Sequence, residues 1–275
     1  MAKVFVTGAA GFIGSHTCDQ LLAAGHTVLG ADNFRTGRAT NLSAAKTHSR
    51  FSFAQCDLTE AGRLDGLVEN FRPDAIIHLA ALVSVQESVK NPGLNFRLNV
   101  ELTQCGAEAA RKNGVKRVVF ASSAAVYGNV REMPVRENAD KYPISPYGAA
   151  KLASEALLLG HAAAFGFTVR CQRYFNVFGQ RQDPASPYSG VISIFCDRLR
   201  AGKAPTIYGD CVQTGDFNSV RDVARANVVA ATASGLVSGV ANICTGEATS
   251  LNRLAATLRT LIGNAPGVGY GAPEP

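Results

Sequence analysis

Short apolar runs alternate with longer segments of mixed polarity along most of this 275-residue chain. Each run has the length of one strand, and each intervening segment is long enough for a crossover helix. Nearly continuous apolar strands are typical of a parallel sheet buried on both faces, so we predict an α/β fold with a doubly wound sheet. The predicted strands cover residues 3–7, 27–31, 51–56, 75–80, 117–122 and 168–172.

Length and composition agree with this fold class. The 47% hydrophobic content supports a full α/β core with a smaller lobe. We expect a dinucleotide-binding domain over residues 1–172 and a partial substrate-binding lobe over 173–275, interleaved with late strands and helices of the first domain. No apolar stretch approaches the ~20 residues of a membrane span, and no signal peptide is recognised, so we expect a cytoplasmic protein that does not bind membranes.

Cysteine usage and charge add little chemistry. The seven cysteines are odd in number and lack the close pairing of a zinc site, so we expect reduced thiols, mostly in the core, and no metal. The net charge of +6 would help to attract an anionic substrate. No basic run or aromatic-interleaved basic patch indicates nucleic acid as a partner.

A turn with three glycines, Gly8, Gly11 and Gly14, joins the first predicted strand to a helix predicted over residues 12–24. Glycine permits the tight turn and the close approach of a pyrophosphate, and the helix N-terminus offers free N–H donors. Alone, this spacing also fits simple tight packing. We predict a dinucleotide site here, with Phe12 and Ile13 in its first helical turn.

The second predicted strand ends in Asp32, about 20 residues after the glycines, where a carboxylate accepts hydrogen bonds from a ribose and repels a 2′-phosphate. NAD is therefore favoured over NADP. Arg35 and Arg38 would suit a 2′-phosphate, but we expect them to be solvated loop residues. Open α/β sheets bind ligands at the carboxyl ends of strands. Other candidates at such ends, which are also compatible with ordinary strand ends, are Asp57, Leu58, Leu79, Ala80 and Ala81.

A second signature lies near the middle of the chain. Ser145 and Pro146 predict a helix start, which places Tyr147 in the first turn and Lys151 one turn later on the same face. A cation and a helix N-terminus both stabilise a phenolate, so Tyr147 is a candidate general base. Ser123, at the end of the fifth predicted strand, could orient the reacting oxygen. An isolated Tyr and Lys pair is also common on helix surfaces.

Several motifs together carry a resemblance to a known family: the glycine turn, Asp32-Asn33-Phe34, His78-Leu79-Ala80-Ala81, Asn99-Val100, Ser123 with Val126-Tyr127-Gly128, Tyr147 with Lys151, and residues 173–179 and 180–184. By these motifs the chain resembles the extended short-chain dehydrogenase/reductase superfamily. Within it, the chain is similar to the nucleotide-sugar epimerases of the UDP-glucose or UDP-N-acetylglucosamine 4-epimerase type. The resemblance runs from Lys3 to about Gly263.

The resemblance implies NAD-dependent epimerisation of a UDP-sugar at the 4-position through a transient 4-keto intermediate. Tyr147 would take the proton of the sugar 4-hydroxyl, while Lys151 would hold the nicotinamide ribose and keep Tyr147 ionised. Asn99 would support the active-site helix. The resemblance also adds Asn33, Asn99, Tyr147, Lys151 and Tyr174 to the implied cofactor contacts, and implies substrate contacts at Ser84, Val85, Ser123, Tyr147 and Asn176.

Related 4,6-dehydratases carry Asp-Glu where this chain has Ala124 and Ala125, so dehydration is not expected. Gly215 stands where the family normally has an arginine that pairs with the substrate pyrophosphate. Cys211 and Asn218-Ser219 also depart from the family pattern. The Gly- and Pro-rich end, residues 263–275, resembles a loop before further helices, so we expect a fragment or a truncated protein.

Two rival functions stay open at this point: another NAD-dependent nucleotide-sugar oxidoreductase, or a catalytically poor NAD-binding protein. A homodimer is expected, because residues 148–165 form a helix that is apolar nearly all round, and its outer face together with the helix over 92–112 needs a partner. The alternative is that the smaller lobe covers this face.

Overall fold

A computed structural model describes residues 1–130, 132–183, 190–208, 213–263 and 266–271 of the chain. The chain divides into two compact units. Met1–Tyr174 and Arg221–Ile243 form the first unit, and Phe175–Val220 and Cys244–Pro275 form the second.

The bounds of the regular elements follow the alternation of the sequence. The strands are β1 (Lys3–Thr7), β2 (Thr27–Asp32), β3 (Phe51–Gln55), β4 (Ala75–His78), β5 (Arg117–Ser123), β6 (Thr168–Tyr174), β7 (Val177–Phe178), β8 (Thr206–Tyr208), β9 (Thr214–Gly215), β10 (Asn218–Ser219), β11 (Gly239–Ile243), β12 (Thr249–Ser250) and β13 (Gly269–Gly271). The helices are α1 (Phe12–Ala23), α2 (Arg63–Phe71), α3 (Val85–Lys90), α4 (Pro92–Phe96), α5 (Leu102–Lys112), α6 (Pro146–Phe165), α7 (Val191–Arg200), α8 (Val220–Thr232) and α9 (Leu251–Ile262).

The first unit contains a parallel sheet that confirms the predicted doubly wound α/β fold. Within the described residues its seven strands follow the order β11-β6-β5-β4-β1-β2-β3. Every neighbouring pair is parallel. Because the order reverses between β1 and β4, the carboxyl ends of these two strands flank the crevice in which such sheets bind ligands.

Both faces of the sheet are covered, which explains why its strands read as continuous apolar runs. Along β1, Val4 and Val6 join a buried cluster that includes Leu21 of α1. Phe5, which points to the other face, joins a cluster that includes Leu158 of α6. Neither face of the sheet is left to solvent, so polar side chains concentrate at the strand ends.

The ends of β2, β3 and β5 differ from prediction by one residue, and the ends of β4 and β6 differ by two. β4 ends at His78, two residues before the predicted end, because the N–H groups of Leu79 and Ala80 donate to the Thr7 hydroxyl. β6 continues two residues further than predicted, to Tyr174, because β5 and β11 pair with it up to that residue.

The second unit has its own small core. Short strand pairs, β7 with β10, β8 with β13 and β9 with β12, surround a cluster formed mainly by α7 and α9. The prediction that residues 263–275 form only a loop is wrong for residues 269–271, which pair as β13 with β8. Residues 264–265 and 272–275 lie outside the described residues.

Most of the six described cysteines contribute to the core clusters. Cys18 and Cys171 are buried, Cys56 and Cys196 are partly buried and pack against a cluster, and Cys105 and Cys244 are exposed. Cys211 lies outside the described part of the chain. Among the described residues, no helix has the length and apolar character needed to span a membrane. In those same ranges, no cluster of three His, Cys, Asp or Glu side chains could hold a metal ion.

Candidate active site

The glycine-rich turn follows β1 and leaves no room for side chains. Gly8 has a φ of +69°, which favours glycine, and a Cβ there would lie 2.8 Å from the Ala80 nitrogen. A Cβ on Gly14 would lie 2.1 Å from the Gly8 carbonyl oxygen. Gly11 begins α1 without a side-chain cap, so the N–H groups of Phe12 and Ile13 are available to an anion.

The Asp32 carboxylate lies beside this turn. It is 8% exposed, and its oxygens accept from the backbone N–H groups of Ala10, at 3.0 Å, and Phe34, at 2.7 Å. Burial raises the pKa of Asp32, while the backbone hydrogen bonds oppose this shift. Because the Gly11 N–H is a third backbone donor, at least one of about four lone pairs of the carboxylate remains to accept a hydroxyl hydrogen. Arg35 and Arg38 are exposed loop residues, as predicted, and Arg35 also forms an ion pair with Glu87.

The ends of β2 and β3 are joined through polar side chains. Asn33 donates to an Asp57 oxygen at 3.2 Å, and the other Asp57 oxygen accepts from the N–H and hydroxyl of Thr59. These bonds to Thr59 hold the pKa of Asp57 below its usual range. Leu58 is buried beneath them. Asp57 is therefore an ionised acceptor at the edge where we expect the cofactor.

A hydrogen-bond relay holds the end of β4 against the glycine turn. The Thr7 hydroxyl accepts from the N–H groups of Leu79 and Ala80, so its own hydrogen goes to His78 Nδ1, at 2.8 Å. His78 therefore carries its proton on Nε2, which is buried without a partner among the described residues. Burial, followed by the charge of Lys151, lowers the pKa of His78 to about 3.

His78 appeared in the sequence only as part of a motif, and its role was not predicted. Its ring stacks on Phe120, whose ring centroid lies 4.9 Å from Lys151 Nζ. A contiguous set of contacts thus links Thr7, at the end of β1, to Lys151 on α6. Ala81 follows this relay and is half-buried.

The structure brings Ser123, Tyr147 and Lys151 together. Ser145 caps α6 by accepting from the Gly148 N–H at 3.1 Å, and this confirms the predicted helix start. Ser123 ends β5 and forms a hydrogen bond with Tyr147. The Lys151 ammonium lies 5.8 Å from the Tyr147 ring centroid.

The electrostatics of this group differ from expectation. We expected the helix N-terminus and Lys151 to favour a phenolate, but burial raises the pKa of Tyr147, with the Ser123 bond opposing it. Lys151 is 2% exposed, and its Nζ donates to the Ala121 carbonyl at 2.8 Å. Desolvation lowers the pKa of Lys151 to about 7, against the influence of Glu155. At neutral pH the raised pKa therefore keeps Tyr147 a phenol, whereas Lys151 is close to its pKa.

Asn99 lies in a π-helical turn, Arg97–Glu101, between α4 and α5. The side-chain nitrogen of Asn99 donates to the Leu82 carbonyl at 3.0 Å and to Asn95 Oδ1 at 2.8 Å. The backbone carbonyl of Asn99 accepts from the Ser154 hydroxyl. Asn95 in turn donates to the carbonyl of Pro146, the residue before Tyr147. The described contacts therefore place Asn99 beneath α6, where it can support the helix.

Two other residues implied by the resemblance have partners within the first unit. The Tyr174 hydroxyl donates to Asn227 Oδ1 at 2.6 Å, and burial raises the pKa of Tyr174. Ser84 is buried and caps α3 by accepting from the Glu87 N–H at 2.9 Å, which leaves its own hydrogen to donate. Val85, which begins α3, is 46% exposed.

The second unit holds a separate cavity of about 230 Å³. Asn176 lines it, and the Asn176 amide donates to the Asp216 carbonyl at 3.0 Å. A Cβ on Gly215 would lie 3.0 Å from the Phe217 ring, so this position is tightly enclosed. Asn218, one of the departures noted in the sequence, is buried. Pro184, the last residue of one motif, lies outside the described residues.

Comparison with known proteins identifies a family match. A profile of the NAD dependent epimerase/dehydratase family matches residues 4–244. The chain is 40% identical over 262 residues to a UDP-glucose 4-epimerase from Mycolicibacterium smegmatis, an alignment covering 95% of this chain and 83% of that protein.

Solved structures show the same similarity. One is a UDP-N-acetylglucosamine 4-epimerase from Methanobrevibacter ruminantium in complex with UDP-N-acetylmuramic acid, with a TM-score of 0.93 and 36% identity over 100% of this chain and 86% of that one. Another is a Thermus thermophilus UDP-glucose 4-epimerase in complex with NAD, with a TM-score of 0.89 and 36% identity over 99% and 87% of the two chains.

Lys151 gives a stability test with a defined sign. Its folded pKa of about 7 lies below its ordinary value of 10.5, so the unfolded chain binds more protons between these two values. The free energy of unfolding therefore rises with pH across this window, by at most about 1.4 kcal/mol per pH unit. Lys151→Met removes this dependence, so its stabilising effect is largest near pH 7 and shrinks toward pH 10.

Urea unfolding of both proteins between pH 6 and pH 10, at steps of about one unit, measures the difference. Lys116→Met serves as the control, because Lys116 is exposed and loses little hydration on folding. A difference between Lys151→Met and the parent protein that stays constant with pH would contradict the desolvation of Lys151.

Proposed function

Because the chain belongs to the NAD dependent epimerase/dehydratase family, we propose that it epimerises a UDP-sugar at the 4-position through a transient 4-keto intermediate, with NAD as cofactor. The observation that carries this proposal is the grouping of Ser123, Tyr147 and Lys151. Contacts through Phe120, His78 and Thr7 connect this group to the glycine-rich turn.

The residues present fit a dinucleotide. Gly8 and Gly14 keep the turn clear of Cβ atoms, and the uncapped start of α1 offers donors to a pyrophosphate. The fixed Asp32 carboxylate can accept from a ribose and would repel a 2′-phosphate, which supports NAD over NADP. When bound, NAD would supply reversible hydride transfer at C4 of the sugar.

Tyr147 is proposed to accept the proton of the sugar 4-hydroxyl and later to return it. A buried phenol with a raised pKa is a poor base alone, so it needs a partner that carries charge. Lys151, whose pKa is about 7, can hold or release a proton at neutral pH. The Tyr147 and Lys151 pair can therefore take the phenolate and ammonium form when the reaction requires a base.

Ser123 is proposed to orient the reacting oxygen. Its hydroxyl oxygen accepts from the Ala125 N–H at 3.2 Å, which fixes the side chain beside Tyr147, its other hydrogen-bond partner. Ala124 and Ala125 offer no acid or base of their own. The site thus supports oxidation and reduction at C4 and lacks, at these positions, the groups that elimination of water would require.

We propose Asn176, which lines the cavity of the second unit, as a substrate contact. A separate proposal is that Ser84 and Val85 of the first unit contact the substrate. Ser84 keeps a hydroxyl hydrogen for this purpose. Gly215 supplies no cation to the substrate pyrophosphate, so substrate affinity is expected to be low relative to family members with arginine there.

We also propose a homodimer through α6 and the helices of residues 92–112. Small exposed residues recur along α6 at the spacing of a helix-packing seam, and Phe165 and Phe96 are each 52% exposed. The small residues are Ala149, Ala153, Ala156, Gly160 and Ala163.

Sedimentation equilibrium of the parent protein should give twice the 28.9 kDa chain mass, and Ala156→Arg should reduce the measured mass to that of one chain. A parent protein with the mass of a single chain would contradict the dimer.

We propose that the protein acts in the cytoplasm. Cys105 is an exposed thiol, and an exposed thiol oxidises readily outside a reducing compartment.

The function is tested by incubating the purified protein with NAD and UDP-glucose and measuring UDP-galactose, with the N-acetylated pair alongside. We expect interconversion with little net NADH absorbance. Accumulation of NADH would indicate another oxidoreductase, and bound NAD without turnover would indicate a cofactor-binding protein.

Tyr147→Phe tests the proposed base. Because the variant lacks the hydroxyl that moves the proton, kcat should fall by about 10²–10⁴-fold, while NAD binding measured by calorimetry stays unchanged. Tyr142→Phe is the control, because Tyr142 is 73% exposed. Near-normal turnover by Tyr147→Phe would remove Tyr147 from its assigned role.

Asp32→Ala tests cofactor choice. Without the carboxylate, binding of NAD weakens and the repulsion of a 2′-phosphate disappears, so the ratio of NAD to NADP affinity should fall at least about tenfold. The two dissociation constants are measured by fluorescence titration of the variant and the parent protein. An unchanged ratio would refute the role of Asp32.

A further inference from the structure

Arg173 of β6 and Glu155 of α6 form an ion pair inside the first unit. Their side chains are 2% and 3% exposed. The guanidinium donates from Nε to Glu155 Oε1 at 2.9 Å and from Nη2 to Oε2 at 2.6 Å, and the Ser122 hydroxyl donates to the same carboxylate. Buried ion pairs add little stability relative to packed apolar side chains, so stability alone does not account for this one.

The remaining nitrogen of Arg173 reaches the segment that leads from Ser123 to Tyr147. Nη1 donates to the Tyr127 hydroxyl at 2.8 Å and to the Glu137 carbonyl at 3.0 Å. The guanidinium carbon also lies 4.9 Å from the centroid of the Tyr127 ring. One buried side chain thus binds both the start and the middle of this segment.

Asn242 of β11 pairs in register with Arg173 and binds the same segment. The Tyr127 hydroxyl donates to Asn242 Oδ1 at 2.7 Å, and Asn242 Nδ2 donates to the Val135 carbonyl at 2.9 Å. The Asn242 backbone N–H donates to Glu137 Oε1 at 2.9 Å. The Tyr127 hydroxyl therefore links Arg173 and Asn242, because it accepts from the first and donates to the second.

We propose that Glu155, Arg173, Tyr127 and Asn242, here called the Arg173 cluster, are positioning residues for the reaction at Ser123, Tyr147 and Lys151. The proposal rests on the proposed epimerase function. The two ends of the bound segment carry Ser123 and Tyr147, so holding its middle limits the movement of both.

The cluster also reaches the third reacting group. Glu155 lies four residues after Lys151 on α6, and Ser122, which binds Glu155, precedes Ser123. Movement of the cluster would therefore shift all three groups relative to one another. Misplacement of reacting groups by about 1 Å can cost about 10²-fold in rate, so a partial loosening should be visible in kcat.

Tyr127→Phe tests the proposal most directly, because it removes the hydroxyl that links Arg173 and Asn242 while retaining the ring that packs against Arg173. We expect kcat for UDP-glucose to fall about tenfold, with KM and NAD affinity changed less than twofold. The glycine-rich turn and Asp32, proposed to hold the cofactor, and Ser84 and Asn176, proposed to contact the substrate, lie outside the cluster. Tyr270→Phe is the matched control: the Tyr270 hydroxyl also donates to an asparagine, Asn252, but at the surface.

Amide hydrogen exchange on the NAD-loaded proteins tests the positioning independently of turnover. In Tyr127→Phe, exchange should accelerate in residues 124–145 and stay unchanged in β1 and α1. If the parent protein fails to epimerise, the proposed function fails, and the exchange pattern alone decides on the cluster.

Three results would overturn the proposal. The first is normal kcat with unchanged exchange in Tyr127→Phe. The second is faster exchange throughout the first unit, which would show a general loss of stability. The third is a rise in KM at constant kcat, which would place Tyr127 in substrate binding.

Discussion

The burial of one ammonium group organises the site. Lys151 donates to the Ala121 carbonyl at 2.8 Å and lies over the Phe120 ring, so it ties α6 to the end of β5. This contact sets Tyr147 near Ser123. The same burial lowers the pKa of Lys151 to about 7. The charge of Lys151 in turn contributes to the low pKa of His78. Position and proton affinity thus have a common cause.

Burial sets the cost of charging the neighbouring Tyr147 and Lys151 side chains. It opposes the charged form of both groups, raising the pKa of Tyr147 and lowering that of Lys151. Moving one proton from Tyr147 to Lys151 therefore costs more than it would in water, and the attraction between the resulting phenolate and ammonium offsets part of this cost. We therefore expect the Lys151 ammonium and the Ser123 hydrogen bond to stabilise the phenolate during catalysis.

Much of the fold was predictable because its signals are local. Gly8, Gly11 and Gly14 mark a turn that has no room for a Cβ at Gly8 and Gly14, and Ser145 with Pro146 marks the start of α6. The alternation of apolar runs and mixed segments gave the parallel sheet. The four-residue spacing of Tyr147 and Lys151 predicted that they share one face of a helix. Ser123 was predicted as a site residue from its place at the end of a strand.

The parts that sequence reasoning missed depend on contacts between distant residues. The Thr7 and His78 relay spans 71 positions, and the pair of Glu155 and Arg173 joins a helix to a strand. The fourth position after Lys151 could have pointed to Glu155 as a residue on the same helix face, but not to its partner. The raised pKa of Tyr147 also escaped prediction, because a sequence shows neighbouring charges more readily than the depth at which a phenol is buried.

We propose that the hydrogen at C4 leaves the sugar as a hydride and returns to it without exchange with water, while Tyr147 moves only the hydroxyl proton. The direct measurement uses UDP-glucose with deuterium at C4, incubated in ordinary water with the parent protein and NAD. We expect the UDP-galactose formed to retain the deuterium at C4. Loss of the label to water during conversion would contradict it.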